Sequence, residues 1–167
     1  MTLKYGSTTI SPSHTVKYGS TALKSLKYGT TEVWKKEEII VSGLSVTTDI
    51  ASGQNTLKQQ YSDEYSVSSG FSTVVITGTA KGQVVGQGTY GYSAQVVVQG
   101  YYSSAWHDLK AYSVGANGDK TVTANDSVSL SGSSKLRVWC WIRTADIGGE
   151  QATSGKASCS NFQLLVK

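Results

Sequence analysis

Leu136-Arg137-Val138-Trp139-Cys140-Trp141-Ile142-Arg143 alternates at every step. Leu136, Val138, Cys140 and Ile142 fall on one side of an extended chain, and Arg137, Trp139, Trp141 and Arg143 on the other. That is the period of two of a β-strand with one face in a core. Working outward, Ser160 to Lys167 repeats the pattern, with Phe162, Leu164 and Val166 alternating against Asn161, Gln163 and Leu165. Val96-Val97-Val98, within Tyr92 to Gly100, is a run short enough for a strand buried on both faces. Glu37 to Thr47, Phe71 to Thr79 and Ser127 to Ser131 supply further strands. Turn clusters lie between them at Ser68-Ser-Gly70, Gly115-Ala-Asn-Gly-Asp119, Ser131-Gly-Ser-Ser134 and Gly148-Gly149. The only helical expectation is a turn or two around Gln54 to Tyr61. The chain is therefore expected to be all-β, an antiparallel β-sandwich with a jelly roll as its leading form.

The 167 residues have room for one domain of ordinary size and a shorter region beside it. That shorter region is written in repeats. Leu3-Lys-Tyr-Gly-Ser-Thr-Thr-Ile10, Val16-Lys-Tyr-Gly-Ser-Thr-Ala-Leu23 and Leu26-Lys-Tyr-Gly-Thr-Thr-Glu-Val33 share one pattern, and Trp34 follows the last. Gly6, Gly19 and Gly29 can take the positive φ that the first central position of a type II′ turn requires. Each unit reads as a small β-hairpin, too small to be stable alone in water. The units start 13 and then 10 residues apart, which is not the period of a solenoid. Residues 1–36 are expected to be an attachment or assembly region, with Tyr5, Tyr18, Tyr28 and Trp34 among its contacts, and 37–167 the sandwich domain. The competing reading is a β-meander belonging to the main domain.

Charge follows the same division. Residues 1–36 carry Lys4, Lys17, Lys24, Lys27, Lys35 and Lys36 against Glu32, while the whole chain sums to +4, so the remainder is slightly acidic. One lysine per unit with no arginine does not resemble a phosphate-reading surface, and nucleic acid is not an expected partner. An acidic protein surface fits better. No apolar run approaches a membrane span, and Met1-Thr-Leu-Lys-Tyr-Gly6 lacks the apolar segment of a secretory signal, so no membrane partner is expected and synthesis in a cytoplasm is.

The search for chemistry is nearly empty. His14 and His107 have no ligand-spaced partners, so neither metal nor cofactor is expected. Cys140 and Cys159 stand apart without a CxxC, and a reduced, buried pair is the expectation for a cytoplasmically made chain. A glycan-cleaving site needs two carboxylates about 5–9 Å apart. Asp63 and Glu64 are neighbours that an extended chain would send to opposite faces, and Asp108 is distant in sequence. No catalytic residue is expected.

Aromatic residues carry the binding signal. Tyr90, Tyr92, Tyr101, Tyr102, Trp106 and Tyr112 are grouped among polar neighbours. Such rings offer apolar plates with polar tips, suited to stacking on sugar faces. For Trp106 and the tyrosines near it, a sugar platform leads. For Trp139 and Trp141, flanked by Arg137 and Arg143, a subunit interface leads, since Trp, Tyr and Arg are enriched there.

The tandem units ending in Val33-Trp34 resemble the short repeats at the N-termini of tail and other virion structural proteins of bacteriophages, particularly those of Gram-positive gut bacteria. Residues 37–167 resemble more loosely the β-sandwiches that phages display as fibre tips, receptor binders and head decorations. The resemblance implies a non-enzymatic virion protein. Its partners would be other virion proteins, copies of itself (a trimer first) and a host cell-surface glycan. Head decoration or tail completion is the alternative within that class. A stand-alone carbohydrate-binding module or glycan hydrolase is the alternative outside it.

Overall fold

The Leu136–Arg143 alternation is realised in full. In the computed structural model, which describes residues 4–5, 8–9, 15–18, 20–23, 25–28, 30–86, 91–115, 118–145 and 154–167, Leu136, Val138, Cys140 and Ile142 are all fully buried. Their strand is one of fifteen among the described residues. The first six form three antiparallel pairs over the repeats: β1 (Lys4–Tyr5) with β2 (Thr8–Thr9), β3 (Lys17–Tyr18) with β4 (Thr21–Ala22), and β5 (Ser25–Tyr28) with β6 (Thr31–Lys35). Tyr5 opposes Thr8 and Tyr18 opposes Thr21, so each hairpin closes through two residues. The turn glycines Gly6, Gly19 and Gly29 lie outside the described residues, as does Tyr90.

The sandwich follows: β7 (Glu38–Thr47), β8 (Leu57–Tyr61), β9 (Tyr65–Ser66), β10 (Thr73–Val84), β11 (Tyr92–Tyr102), β12 (Ala105–Ser113), β13 (Lys120–Ser129), β14 (Lys135–Thr144) and β15 (Gly155–Val166). One sheet has the order β13-β10-β15-β7. The other runs β12-β11-β14-β8, with β9 also on β14. Every pairing is antiparallel. The chain thus pairs from its ends inward: β7 beside β15, β8 beside β14, β10 beside β13 and β11 beside β12. A long antiparallel ribbon rolled in this way is the jelly roll the sequence led with.

Between the sheets, side chains from both inner faces interdigitate, including Val74, Ile76, Val96, Val98, Val138, Ile142, Leu164 and Val166. Phe162 is the bulkiest fully buried side chain. It sits where β15 changes face. Ala157 and Cys159 point inward, then Phe162, Leu164 and Val166 do, so one extra residue is inserted at Ser160–Asn161. Asn161 takes φ +52°, and the register with β10 shifts opposite it between Thr77 and Thr79. This is a β-bulge. Gly78 faces it with φ +138°; a Cβ there would stand 2.8 Å from the Phe162 Cα and collide with Phe162 Cδ1. The absent side chain is the space the Phe162 ring fills, and Tyr112 meets that ring edge-on at 6.0 Å.

Cys140 and Cys159 face each other across the sandwich as free, buried thiols. The Cys140 Sγ lies 3.8 Å from the carbonyl of Val46, the register partner of Cys159. Its hydrogen bond with Cys159, together with burial, pushes the Cys140 thiol up.

Two sequence expectations need correction. Gln54 to Tyr61 holds no helical turn; Leu57–Tyr61 is a strand on the edge of the sheet. Its apolar residues Leu57 and Tyr61 point outward and Lys58 and Gln60 toward the partner sheet, an inverted pattern that hides a strand. The strand expected at Ser127 to Ser131 starts at Lys120 and ends at Ser129, because its inward row includes Ala124 and Asp126 and reads as polar. β12 carries no obvious alternation because a register shift opposite Val98 and Gln99 interrupts it.

Candidate functional site: the outer face of the five-stranded sheet

The face of β12-β11-β14-β8 that points away from the core is built in rungs. Strand alternation sends Gln95, Val97, Gln99 and Tyr101 of β11 outward, and the registers set their neighbours. Ser113, Gln95, Trp141 and Gln59 form one rung. Ala111, Val97, Trp139 and Tyr61 form the next. Asp108, Gln99 and Arg137 follow, then Trp106, Tyr101 and Lys135. Val97 is fully buried although it faces outward, because the aromatic layer covers it. This is the two-sided burial expected for Val96-Val97-Val98.

Arg137 is the centre of that layer. Its guanidinium lies 4.1 Å from the Trp106 ring centre and 4.3 Å from that of Tyr61, held between two aromatic plates. Arg137 Nε donates to Gln99 Oε1 at 2.9 Å, and Gln99 Nε2 donates to Asp108 Oδ1 at 2.7 Å. The relay fixes the cation in plane. Tyr61 stacks on Trp139 with centroids 5.9 Å apart, and Trp139 meets Trp141 at 6.3 Å. Tyr101 contacts Trp106 edge-on at 5.4 Å. At the rim Lys135 donates to Glu64 at 2.8 Å, which holds its ammonium above the ordinary lysine range. The indole Nε1 of Trp139 is buried without a hydrogen-bond partner among the described residues.

The sequence candidates divide across the sheet. Tyr101 and Trp106 stand on this outer face, where Trp139 and Trp141 join them. Tyr92 does not: it is 5 % exposed, inside the sandwich, and its hydroxyl donates to the Gly118 carbonyl at 3.1 Å. Burial raises its pKa. Tyr92 has the parity of Val96 and Val98, so its ring is a core element and is not presented at the surface. Tyr112 is also buried and donates to Asp126 Oδ2 at 3.0 Å, while Lys110 reaches Asp126 Oδ1 at 2.8 Å. That cluster ties β12 to β13 across the sandwich. Tyr102 stacks on His107 at 4.1 Å, again with inward parity. For Tyr5, Tyr18, Tyr28 and Trp34 the structure describes backbone alone, in β1, β3, β5 and β6.

Tyr61, Gln95 and Gln99 escaped the sequence search. The signal for Tyr61 was present in Leu57, Gln59 and Tyr61, which alternate, but only pairing with β14 puts that row beside Trp139. Of the three acids considered for catalysis, Glu64 and Asp108 have partners within this face, Lys135 and Gln99. Among the described residues no three His, Cys, Asp or Glu side chains gather as metal ligands.

No protein-family model matches the chain, and no curated protein matches it. Solved structures do. Those of infectious bursal disease virus strain Gt (TM-score 0.41, 8 % identity) and strain Gx (0.39, 9 %) overlap 90 % and 92 % of this chain but 36 % and 45 % of theirs. The VP2 subviral particle of the same virus overlaps 78 % of this chain and 35 % of its own at TM-score 0.36 and 9 % identity. The chain spans less than half the length of these virus-particle proteins. At that identity and superposition the likeness bears on neither function nor ancestry.

Proposed function

We propose that this chain is a non-enzymatic structural protein of a bacteriophage virion, with residues 1–36 attaching it to the particle and 37–167 displayed for adhesion to a host-surface glycan. The observation that carries the adhesive part is the layer in which Arg137 lies between Trp106 and Tyr61 on one open sheet face. Those side chains are held by stacking and a hydrogen-bonded relay before any ligand arrives, which lowers the ordering cost of binding. Aromatic rings with Asp108 and Tyr101 beside them suit the apolar face and hydroxyl rim of a sugar. The attachment part is supported by three near-identical basic hairpins and by their resemblance to phage virion repeats. Jelly rolls serve capsid and lectin domains alike, so the fold accommodates this reading without selecting it. Display as a symmetric oligomer, a trimer first, would add avidity to weak single sites.

The second reading within the class is head decoration or tail completion, in which the same face packs against another virion protein. The concentration of Trp, Tyr and Arg on that face favours it, since these residues are enriched in protein interfaces.

Immunogold electron microscopy of particles from an induced lysate, with antibodies to residues 37–167, separates these. Label at the tail end is expected. Label over the head would replace adhesion with decoration, and unlabelled particles would remove the virion assignment. In parallel, Trp106→Ala is expected to lose cell binding with the fold intact; wild-type protein that binds neither cells nor glycan would sink the adhesive role.

A further inference from the structure

Beside Trp141, at the end of the face away from Trp106, β11 and the end of β12 enclose an open depression of about 270 Å³. We propose that it is a subsite for one neutral saccharide ring, an inference that rests on the adhesion reading and gives it a second contact point. Its wall is the Trp141 indole, and Ser93, Gln95 and Ser113 supply polar groups around it. Tyr92 lies at the base with its hydroxyl turned inward to Gly118.

The polar groups have capacity to spare. Gln95 Nε2 and Ser113 Oγ are 3.5 Å apart, at the long limit for a hydrogen bond, and each retains further donors and acceptors. A ring hydroxyl, which both donates and accepts, matches such a pair. The volume lies just below the roughly 300–1,000 Å³ of sites for larger ligands, so it suits one ring and not a chain. Gly115 forms part of the rim, and a Cβ there would stand 2.6 Å from the Tyr92 carbonyl oxygen, so the rim runs as bare backbone against β11. No lining side chain carries a formal charge. Arg143, register partner of Ser93, lies outside the lining. The lining itself offers hydroxyl and amide groups, which is why the expected ligand is neutral; Arg143, beside Ser93, is the group that would favour an anionic sugar, and glucuronate tests it.

The test is an NMR titration of the ¹⁵N-labelled full chain with methyl β-glucoside, methyl β-galactoside, N-acetylglucosamine, N-acetylgalactosamine and glucuronate. Indole signals are assigned through Trp→Phe variants. At least one neutral sugar is expected to shift the Trp141 indole and the Gln95 side-chain amide saturably, with a midpoint on the order of 1 mM. Trp141→Ala should weaken that binding about tenfold or more. Gln95→Ala and Ser113→Ala, substitutions at solvent-facing positions, should each weaken it by about five- to tenfold. A stronger response to glucuronate than to every neutral sugar overturns the neutral assignment. Shifts at Trp106 with none at Trp141 overturn the subsite and leave the adhesion reading standing. If no sugar moves any signal, the subsite falls. The adhesion reading falls with it only if the full chain also fails to bind host cells.

Discussion

Replacing Phe162 by Ala tests whether the bulge of β15 organises the core. The ring is fully buried, and a Phe of this kind removes about 150–250 Å² from water. At about 25 cal/mol per Å² that corresponds to roughly 4–6 kcal/mol, from which the methyl group kept by Ala must be subtracted. Truncations of this type cost about 3–5 kcal/mol. The upper half of that range is expected here for two reasons. The edge contact with Tyr112 is lost as well, and the opposing residue is Gly78, which has no side chain to move into the void. Domains of this size are stable by about 5–15 kcal/mol, so the variant should remain folded in buffer but lie close to its transition. With a urea dependence of about 2 kcal/mol per molar, the midpoint should fall by about 2 M. Urea titration followed by tryptophan fluorescence measures it. Phe162→Leu, which keeps most of the volume, should lose about 1 kcal/mol. If Phe162→Ala loses less than about 1 kcal/mol, the ring is not packed as described, and the bulge does not set the face change.

Two further outcomes are expected. Arg137→Lys keeps the charge but not the planar fork, so it should weaken both ring contacts and the bond to Gln99. The cost should be about 1 kcal/mol, with altered Trp emission, and unchanged urea midpoint and spectrum would refute the sandwich. The hydrogen bond from Lys110 holds the folded-state pKa of Asp126 below the carboxylate norm, so its stabilising contribution is complete above about pH 4, the unfolded value, and fades as pH falls through the lower folded value. Asp126→Asn should therefore destabilise at neutral pH and converge with wild type in acid; a gap independent of pH would show that Asp126 contributes nothing through its charge.

Much of the fold was legible because strands write their burial into alternate residues. Leu136–Arg143, Phe162–Val166 and the triple valine each predicted the side they bury. Residues 1–34 likewise declared three hairpins in the repetition itself. What alternation could not convey was the identity of polar or edge strands. β8 points Leu57 and Tyr61 outward, β13 turns the buried Ala124 and the half-exposed Asp126 inward, and the β11–β12 register shift breaks the pattern in β12.

The candidate site divides in the same way. Trp106, Tyr101, Trp139 and Trp141 could be picked from composition and parity, because a single strand determines which side each residue faces. That Tyr92 belongs to the core follows from the partner sheet that closes over it. That Arg137 lies between Trp106 of β12 and Tyr61 of β8 depends on register between strands far apart in sequence. Period two is a local property of the backbone and survives in the sequence. Which strands become neighbours is decided by the whole roll of the chain, when two sheets must share one core.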